Sequence, residues 1–399
     1  MKKSLFLPRQ LLVVLLILGI MNFFENGSYF FVFLSLLGLL SIRSIPRSSI
    51  TLCFFLLLTL SAAISSISYY SFNEVVRSLC YVSMYIVGFD QYSCAKDSAL
   101  FVRQITTAMY VGSILFIALE TIYNYNKVFA SNRMLKNIWT GDYISPTFVS
   151  LVSLIAIAQS FIWLFFSDNK KLKYVAIASL ILSFFISFRT ATRFPFLSAS
   201  IILIMCMIMK ISSKSKIRDK FLMIGFIALI ALTILLFVRF DIFGIYSNLE
   251  TSDLFVRFSD YYSYWGRSRI RTMFLSNWTN YLWGGGYISN TLQYYGHDWI
   301  LDSFDLYGVF ALIATAFLTV IAFVQLIRLM MNRKRYEDYL LFIYLLSLII
   351  GCFIEPVFHA DPAYVMSFIF MMGIVDKRNC ELKAEKSYLI KNKNLEICN

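Results

Sequence analysis

The chain has 399 residues, of which 59% are hydrophobic and only 15% charged, with a mean hydropathy of +0.70. A soluble domain carries about a quarter charged residues, so an assembly of soluble domains is excluded. The net charge of +13 does not mark a nucleic-acid binder either, because the basic residues fall in short breaks between apolar runs (Arg43, Arg47; Lys170, Lys171, Lys173; Lys210, Lys214, Lys216, Arg218, Lys220; Arg333, Lys334, Arg335), where topology signals lie.

Only a helix hides its backbone groups over an apolar run of about 16–25 residues in lipid, so each such run reads as a span. In chain order the spans are 11–24, 28–42, 50–66, 75–89, 104–121, 145–167, 172–188, 194–210, 221–239, 302–327, 339–354 and 363–375. The first follows Lys2, Lys3 and Arg9 as a signal peptide would. However, Asn22-Phe23-Phe24-Glu25 does not suit a signal peptidase, and the run is read as an uncleaved span. The expected architecture is therefore an all-α polytopic membrane protein of about twelve transmembrane helices. It divides into spans one to nine (1–240), a large external loop (241–301), spans ten to twelve (302–375) and a polar, partly disordered tail (376–399).

Counting Lys and Arg on alternate sides sets the orientation. With the N-terminus inside, loops 43–49, 90–103, 168–171, 211–220, 328–338 and the tail are cytoplasmic and nearly all carry clustered basic residues; external loops 25–27, 67–74 and 355–362 carry none, while 122–144, 189–193 and 241–301 carry arginine, which the rule tolerates but does not predict. Both termini come out cytoplasmic. The seven cysteines all fall in spans, cytoplasmic loops or the tail, so neither a disulfide framework nor a zinc site is expected.

The few external ionisable groups carry the chemical information. Arg189 and Arg193 flank the junction of the seventh and eighth spans, where snorkelling to lipid phosphates competes with a functional role. In the large loop, Gly266–Trp283 reads as an amphipathic helix. Ile270, Met273, Phe274, Trp278 and Tyr281 form one face, and Arg269, Thr272, Ser276 and Thr279 the other. Steps of four place Arg267 and Arg271 on the apolar face, where an anion such as a lipid diphosphate would justify them. Gly284-Gly285-Gly286 lacks the Gly-Lys-Ser/Thr of a phosphate-binding loop and reads as a helix break. His297 follows where the loop re-enters the membrane, and Asp298, Asp302 and Asp305 share a helix face behind it. Helix capping explains Asp298 well, Asp302 in part and Asp305 not at all. A neutral histidine beside a carboxylate suits general-base work. The second histidine, His359, lies in an external turn between Glu355 and Pro362.

These motifs resemble those of the O-antigen polymerase and O-antigen ligase (Wzy/WaaL) superfamily. Phe188-Arg189-Thr190 looks like its first arginine motif. Gly266-Arg267-Ser268-Arg269 through Gly284-Gly285-Gly286 looks like its second, and His297 with Asp302 at plus five and Gly308 at plus eleven looks like its third. Asp298 stands where the family has Asn or Ser, and no proline precedes the glycine turn. The resemblance implies a GT-C-like transmembrane fold and a metal-independent glycosyltransferase with no cofactor, at the periplasmic face of the bacterial inner membrane. It implies an undecaprenyl-diphosphate-linked oligosaccharide as substrate and a chain-length regulator as a partner. Arg189, Arg193, Arg267, Arg269 and Arg271 would bind the diphosphate, and His297, Asp298 and Asp302 would be catalytic. The leading expectation is a repeat-unit polymerase. The alternatives are a ligase to lipid A-core and, from a different class, a lipid-linked oligosaccharide flippase, which would need charge within its spans rather than in a loop.

Overall fold

The computed structural model describes residues 7–46, 49–69, 72–125, 134–212, 261–333 and 335–398. The expected ninth span (221–239) and the start of the large loop (241–260) lie outside the described residues.

The apolar runs fold as helices. They are α1 Arg9–Ile20, α2 Gly27–Leu40, α3 Ser49–Tyr69, α4 Phe72–Ser93, α5 Ser98–Tyr123, α6 Pro146–Phe166, α7 Lys170–Arg189, α8 Phe194–Ser212, α9 Tyr261–Ser276, α10 Trp299–Tyr307, α11 Val309–Asn332, α12 Tyr336–Ile354, α13 Val357–Ala360 and α14 Pro362–Cys398. Seven of them (α3, α5, α6, α7, α8, α11 and α12) are long and apolar enough to cross a membrane. The all-α polytopic class is thus shown. α4 is long but carries Glu74, Arg77 and Asp90, and α1 and α2 have 12 and 14 residues, or about 18 and 21 Å of helix.

Several elements start or stop for a local reason. Ser145, Asn169 and Asp97 cap α6, α7 and α5 through their side chains, each accepting a backbone N–H of the first turn. Asn22 ends the first hydrophobic run in left-handed backbone, and its Oδ1 accepts the N–H of Gly27, fixing the α1–α2 turn. α6 is the most enclosed span and packs against α5, α7, α8 and α12.

Contacts between loops define two ends of the bundle. At one end the backbone N–H groups of Arg43 and Ser44 donate to Asp90 at 2.9 and 2.6 Å, Arg103 pairs with Glu337, Arg333 reaches Ser212, and Arg378 pairs with Asp338. At the other, Asn137 donates to Glu25, Ile138 to Glu120, Thr147 to Glu355 and Tyr307 to Glu74. Every one of these pairs joins segments that the charge count placed on the same side.

Three elements differ from the sequence reading. The expected span 302–327 is broken at Gly308, which has φ +93, so α10 ends there and α11 begins. α14 does not stop near residue 375 but runs on to Cys398, because Arg378 is buried in a two-toothed ion pair with Asp338 and anchors the polar half. The amphipathic helix is already formed at Tyr261, upstream of Gly266, and stops at Ser276, where the Asn277 side chain donates to the Met273 carbonyl at 2.9 Å; a short 3-10 turn, Trp278–Tyr281, follows.

Candidate functional site

The glycine turn and the helix behind it form one hydrogen-bonded unit. Gly285 N–H donates to the Leu306 carbonyl at 3.0 Å, Gly286 N–H to Asp305 at 2.8 Å, and Val309 N–H to Leu282 at 2.9 Å. The contact needs bare backbone: a Cβ on Gly308 would stand 2.6 Å from the Leu282 oxygen, and one on Gly284 2.5 Å from the Ser65 hydroxyl. Both glycines have positive φ, a second reason for the residue type.

α10 and α11 fold back on each other across Gly308. Ser303 pairs with Thr315 at 2.8 Å, and Trp299 Nε1 donates to Thr319 at 2.9 Å. One number falls by four as the other rises by four, so the helices run antiparallel. Thr319 is ten residues beyond Val309, which sets the start of α10 about 15 Å along α11 from the break. α10 is thus a short helix folded back along α11 and not a continuation of it. His297 and Asp298 lie at its start, level with Thr319 rather than with Gly308.

The three aspartates are buried, and each does something different. Asp298 is the N-cap of α10, accepting Leu301 N–H at 2.7 Å, and it lies within electrostatic reach of Arg271. Asp305 accepts from Ile288 N–H (2.8 Å), Ser289 N–H (3.0 Å) and the Ser289 hydroxyl (2.7 Å), so it shapes the chain after the glycine turn. Asp302 is fully buried; its Oδ1 accepts Gly296 N–H at 2.8 Å, while its Oδ2 has no hydrogen-bond partner among the described residues. His297 adopts left-handed backbone at φ +55, a region where His is tolerated better than most non-glycine residues, and its side chain is half-buried.

The arginines stand on two other elements. α9 carries Arg267, Arg269 and Arg271, and its Ile270 and Phe274 pack with Tyr281, Ile288 and Phe304 in a small core over α10. Arg269 and Arg271 are exposed, as is Trp278, while the Arg267 side chain lies outside the described residues. The buried face is therefore narrower than the periodicity predicts: because the helix stops at Ser276, Trp278 leaves the register, and Arg271 points its charge outward beside Phe274. Arg189 ends α7 and Arg193 precedes α8, in a tight turn whose Thr190 and Thr192 hydroxyls both reach the Ser187 carbonyl. α6 begins at the end where Thr147 meets Glu355, α7 runs back alongside it, and so the arginine turn lies at the same end as the glycine turn. The structure brings Asp298, Arg271, Asp302 and the glycine turn together; Arg189 and Arg193 share the end of the bundle but belong to a separate turn.

Sequence reasoning missed the residues that seat this unit. On α3, the Ser61 and Ser65 hydroxyls hold the Tyr307 and Leu306 carbonyls at 2.6 and 2.8 Å, and Ser61 also accepts Ala311 N–H. Tyr307 donates to Glu74 at 2.5 Å, itself paired with Arg77 at 3.0 Å. The available signal was Ser61 and Ser65 at i, i+4 inside an apolar run, the spacing by which small polar residues bind a neighbouring backbone in lipid. Nearby, Asp361 is buried and accepts Tyr364 N–H at the start of α14; burial pushes its pKa up to about 7. The His359 side chain lies outside the described residues.

Among the described residues, no group of three or more His, Cys, Asp or Glu is placed to hold a metal ion. No protein-family model matches the chain, and no curated protein matches it.

Proposed function

We propose that the chain is a polysaccharide repeat-unit polymerase of the O-antigen type. It would work at the periplasmic face of a bacterial inner membrane, with both termini cytoplasmic, on undecaprenyl-diphosphate-linked oligosaccharide. The observation that supports this reading is the joining of two motifs distant in sequence. Gly284–Gly286 and His297–Gly308 form one hydrogen-bonded unit, at the end of the bundle that also carries the Arg189–Arg193 turn.

In the proposed reaction an acceptor-sugar hydroxyl attacks the anomeric carbon of the donor, whose bond to the diphosphate oxygen breaks. Arg189, Arg193, Arg267 and Arg271, with Arg269 beside them, bind the diphosphate and stabilise the charge that grows on it as it leaves. His297 takes the acceptor proton. Asp298 and Asp305 are committed to backbone donors, whereas Asp302 keeps one carboxylate oxygen for orienting a neighbour. Asp302 is therefore the carboxylate assigned to positioning His297 or the acceptor. Direct attack inverts the anomeric carbon.

The test is an alanine series at Arg189, Arg267 and His297, scored by glycan length at equal protein levels. The polymerase reading expects single repeats in place of long chains; normal long chains in all three variants reject it. Deletion separates the polymerase from the ligase. Loss of a polymerase leaves single repeats on lipid A-core, and loss of a ligase leaves none attached.

A further inference from the structure

The end of the bundle opposite the glycine turn contains a cavity of about 550 Å³ between α1 and α5. Its walls are two helical stripes. Gln10, Val13, Val14 and Ile17 come from α1, and Gln104, Thr107, Ala108 and Val111 from α5; both sets follow the i, i+3, i+4, i+7 spacing of one helix face. At the far end the helices close, because Gly112 lets α5 approach until a Cβ there would stand 2.7 Å from the Ile17 carbonyl. The groove therefore narrows toward Gly112 and widens toward Arg9 and Arg103.

The two arginines at the wide end are not equivalent. Arg103 is neutralised by Glu337, with Nε 2.7 Å from the carboxylate. Arg9 lies over the Phe101 ring at 5.4 Å, and among the described residues its buried Nε and Nη2 have no hydrogen-bond partner. The Gln104 amide oxygen, on the facing wall, is likewise buried without one. Guanidinium N–H groups held out of water and unbonded are costly to bury, so the site is built for an acceptor not supplied by the described residues. Halfway along the groove Val14 is 47% exposed, open to whatever surrounds the bundle.

We infer that this groove binds an acidic phospholipid, with its phosphate on Arg9 and an acyl chain lying along Val13, Val14, Ile17, Ala108 and Val111. Charge complementarity selects the occupant. One uncompensated guanidinium with free N–H donors heads a slot whose deeper walls, Val13, Val14, Ile17, Ala108 and Val111, are apolar, and a phosphate monoanion carrying an aliphatic chain meets both demands. A soluble anion would leave the apolar walls unfilled, and a zwitterionic lipid would bring a second cation beside Arg9 and Arg103.

The experiment is native mass spectrometry of the full-length protein in detergent, titrated with dioleoylphosphatidylglycerol and dioleoylphosphatidylcholine. The acidic lipid should bind about tenfold more tightly, the equivalent of one charge-assisted contact of about 1.4 kcal/mol. Arg9→Gln should bring it down to the level of the zwitterionic lipid, while Arg9→Lys should retain part of the preference. Ala108→Leu, which fills the groove without touching charge, should weaken both lipids. Glycerol 3-phosphate should not compete. Equal binding of the two lipids overturns the inference, as does a full preference surviving in Arg9→Gln. Competition by glycerol 3-phosphate overturns the lipid assignment in favour of a phosphate site.

Discussion

The two ends of the bundle use their acidic residues differently. At the Arg378 end acids chiefly meet bases, Asp338 with Arg378, Glu337 with Arg103 and Glu385 with both Arg378 and Arg335, while Asp90 holds the backbone N–H groups of Arg43 and Ser44. At the glycine-turn end, buried acids chiefly meet backbone N–H groups: Asp298, Asp302 and Asp305 each hold a stretch of loop or a helix start, and Glu74 is the member that pairs with an arginine. A buried ion pair satisfies both partners and is inert. A carboxylate held by backbone donors keeps its charge requirement, and in Asp302 an unfilled oxygen as well. The difference separates a structural end from the end to which the proposed chemistry is assigned.

The comparison is broken most forcefully at the structural end. Arg378→Ala strands the fully buried Asp338, and should cost about 3–5 kcal/mol, seen as a large drop in thermal stability in detergent. At the other end Gly308→Ala should cost about 1–3 kcal/mol from positive φ alone. Its Cβ also meets the Leu282 carbonyl, so activity should fall further than stability as the glycine turn is pushed off α10. Asp305→Asn keeps size but cannot accept three donors with both oxygens. A loss of about 1–3 kcal/mol is expected, with faster hydrogen exchange at Ile288 and Ser289.

Asp361 gives a pH signature that distinguishes the two ends. Burial raises its pKa from 3.8 to about 7, so the folded state binds this proton more tightly than the unfolded state. Its contribution is fully present below pH 3.8 and is lost as the pH rises through about 7. The wild-type melting temperature should therefore carry a falling component across that window, and Asp361→Asn should remove it. An unchanged slope in the variant refutes the assignment. The smallest effect belongs to Arg271→Ala, at an exposed residue facing Asp298. Stability should change by less than about 1 kcal/mol while kcat and kcat/KM both fall, as expected for a group that stabilises the leaving diphosphate.

Much of the fold was legible because lipid leaves the backbone so few options. Runs 145–167, 172–188, 194–210 and 339–354 coincide with α6, α7, α8 and α12 to within three residues, and run 104–121 with α5 to within six. The fold-back of α10 was not legible: the run 302–327 reads as one span, and the break depends on a single φ at Gly308. The persistence of α14 past Asp376 was hidden for another reason. Its anchor is a tertiary ion pair across forty residues of sequence, which no local pattern records. Within the site, the shared face of Asp298, Asp302 and Asp305 was readable from spacing. Their division of labour was not, since it turns on which backbone N–H each one meets. Asp298 proved to be the cap that its position suggested, and Asp305 found the Ile288–Ser289 turn seventeen residues upstream.

The central claim is that the glycine-turn end carries out metal-independent glycan transfer. It is tested most directly by giving purified protein, in the presence of EDTA, undecaprenyl-diphosphate-linked repeat units in liposomes. The account predicts lengthened lipid-linked glycans with release of one undecaprenyl diphosphate per bond formed, abolished by His297→Ala and retained in a folded Arg9→Gln protein. Unlengthened oligosaccharide that merely crosses the bilayer would contradict it and identify a flippase instead.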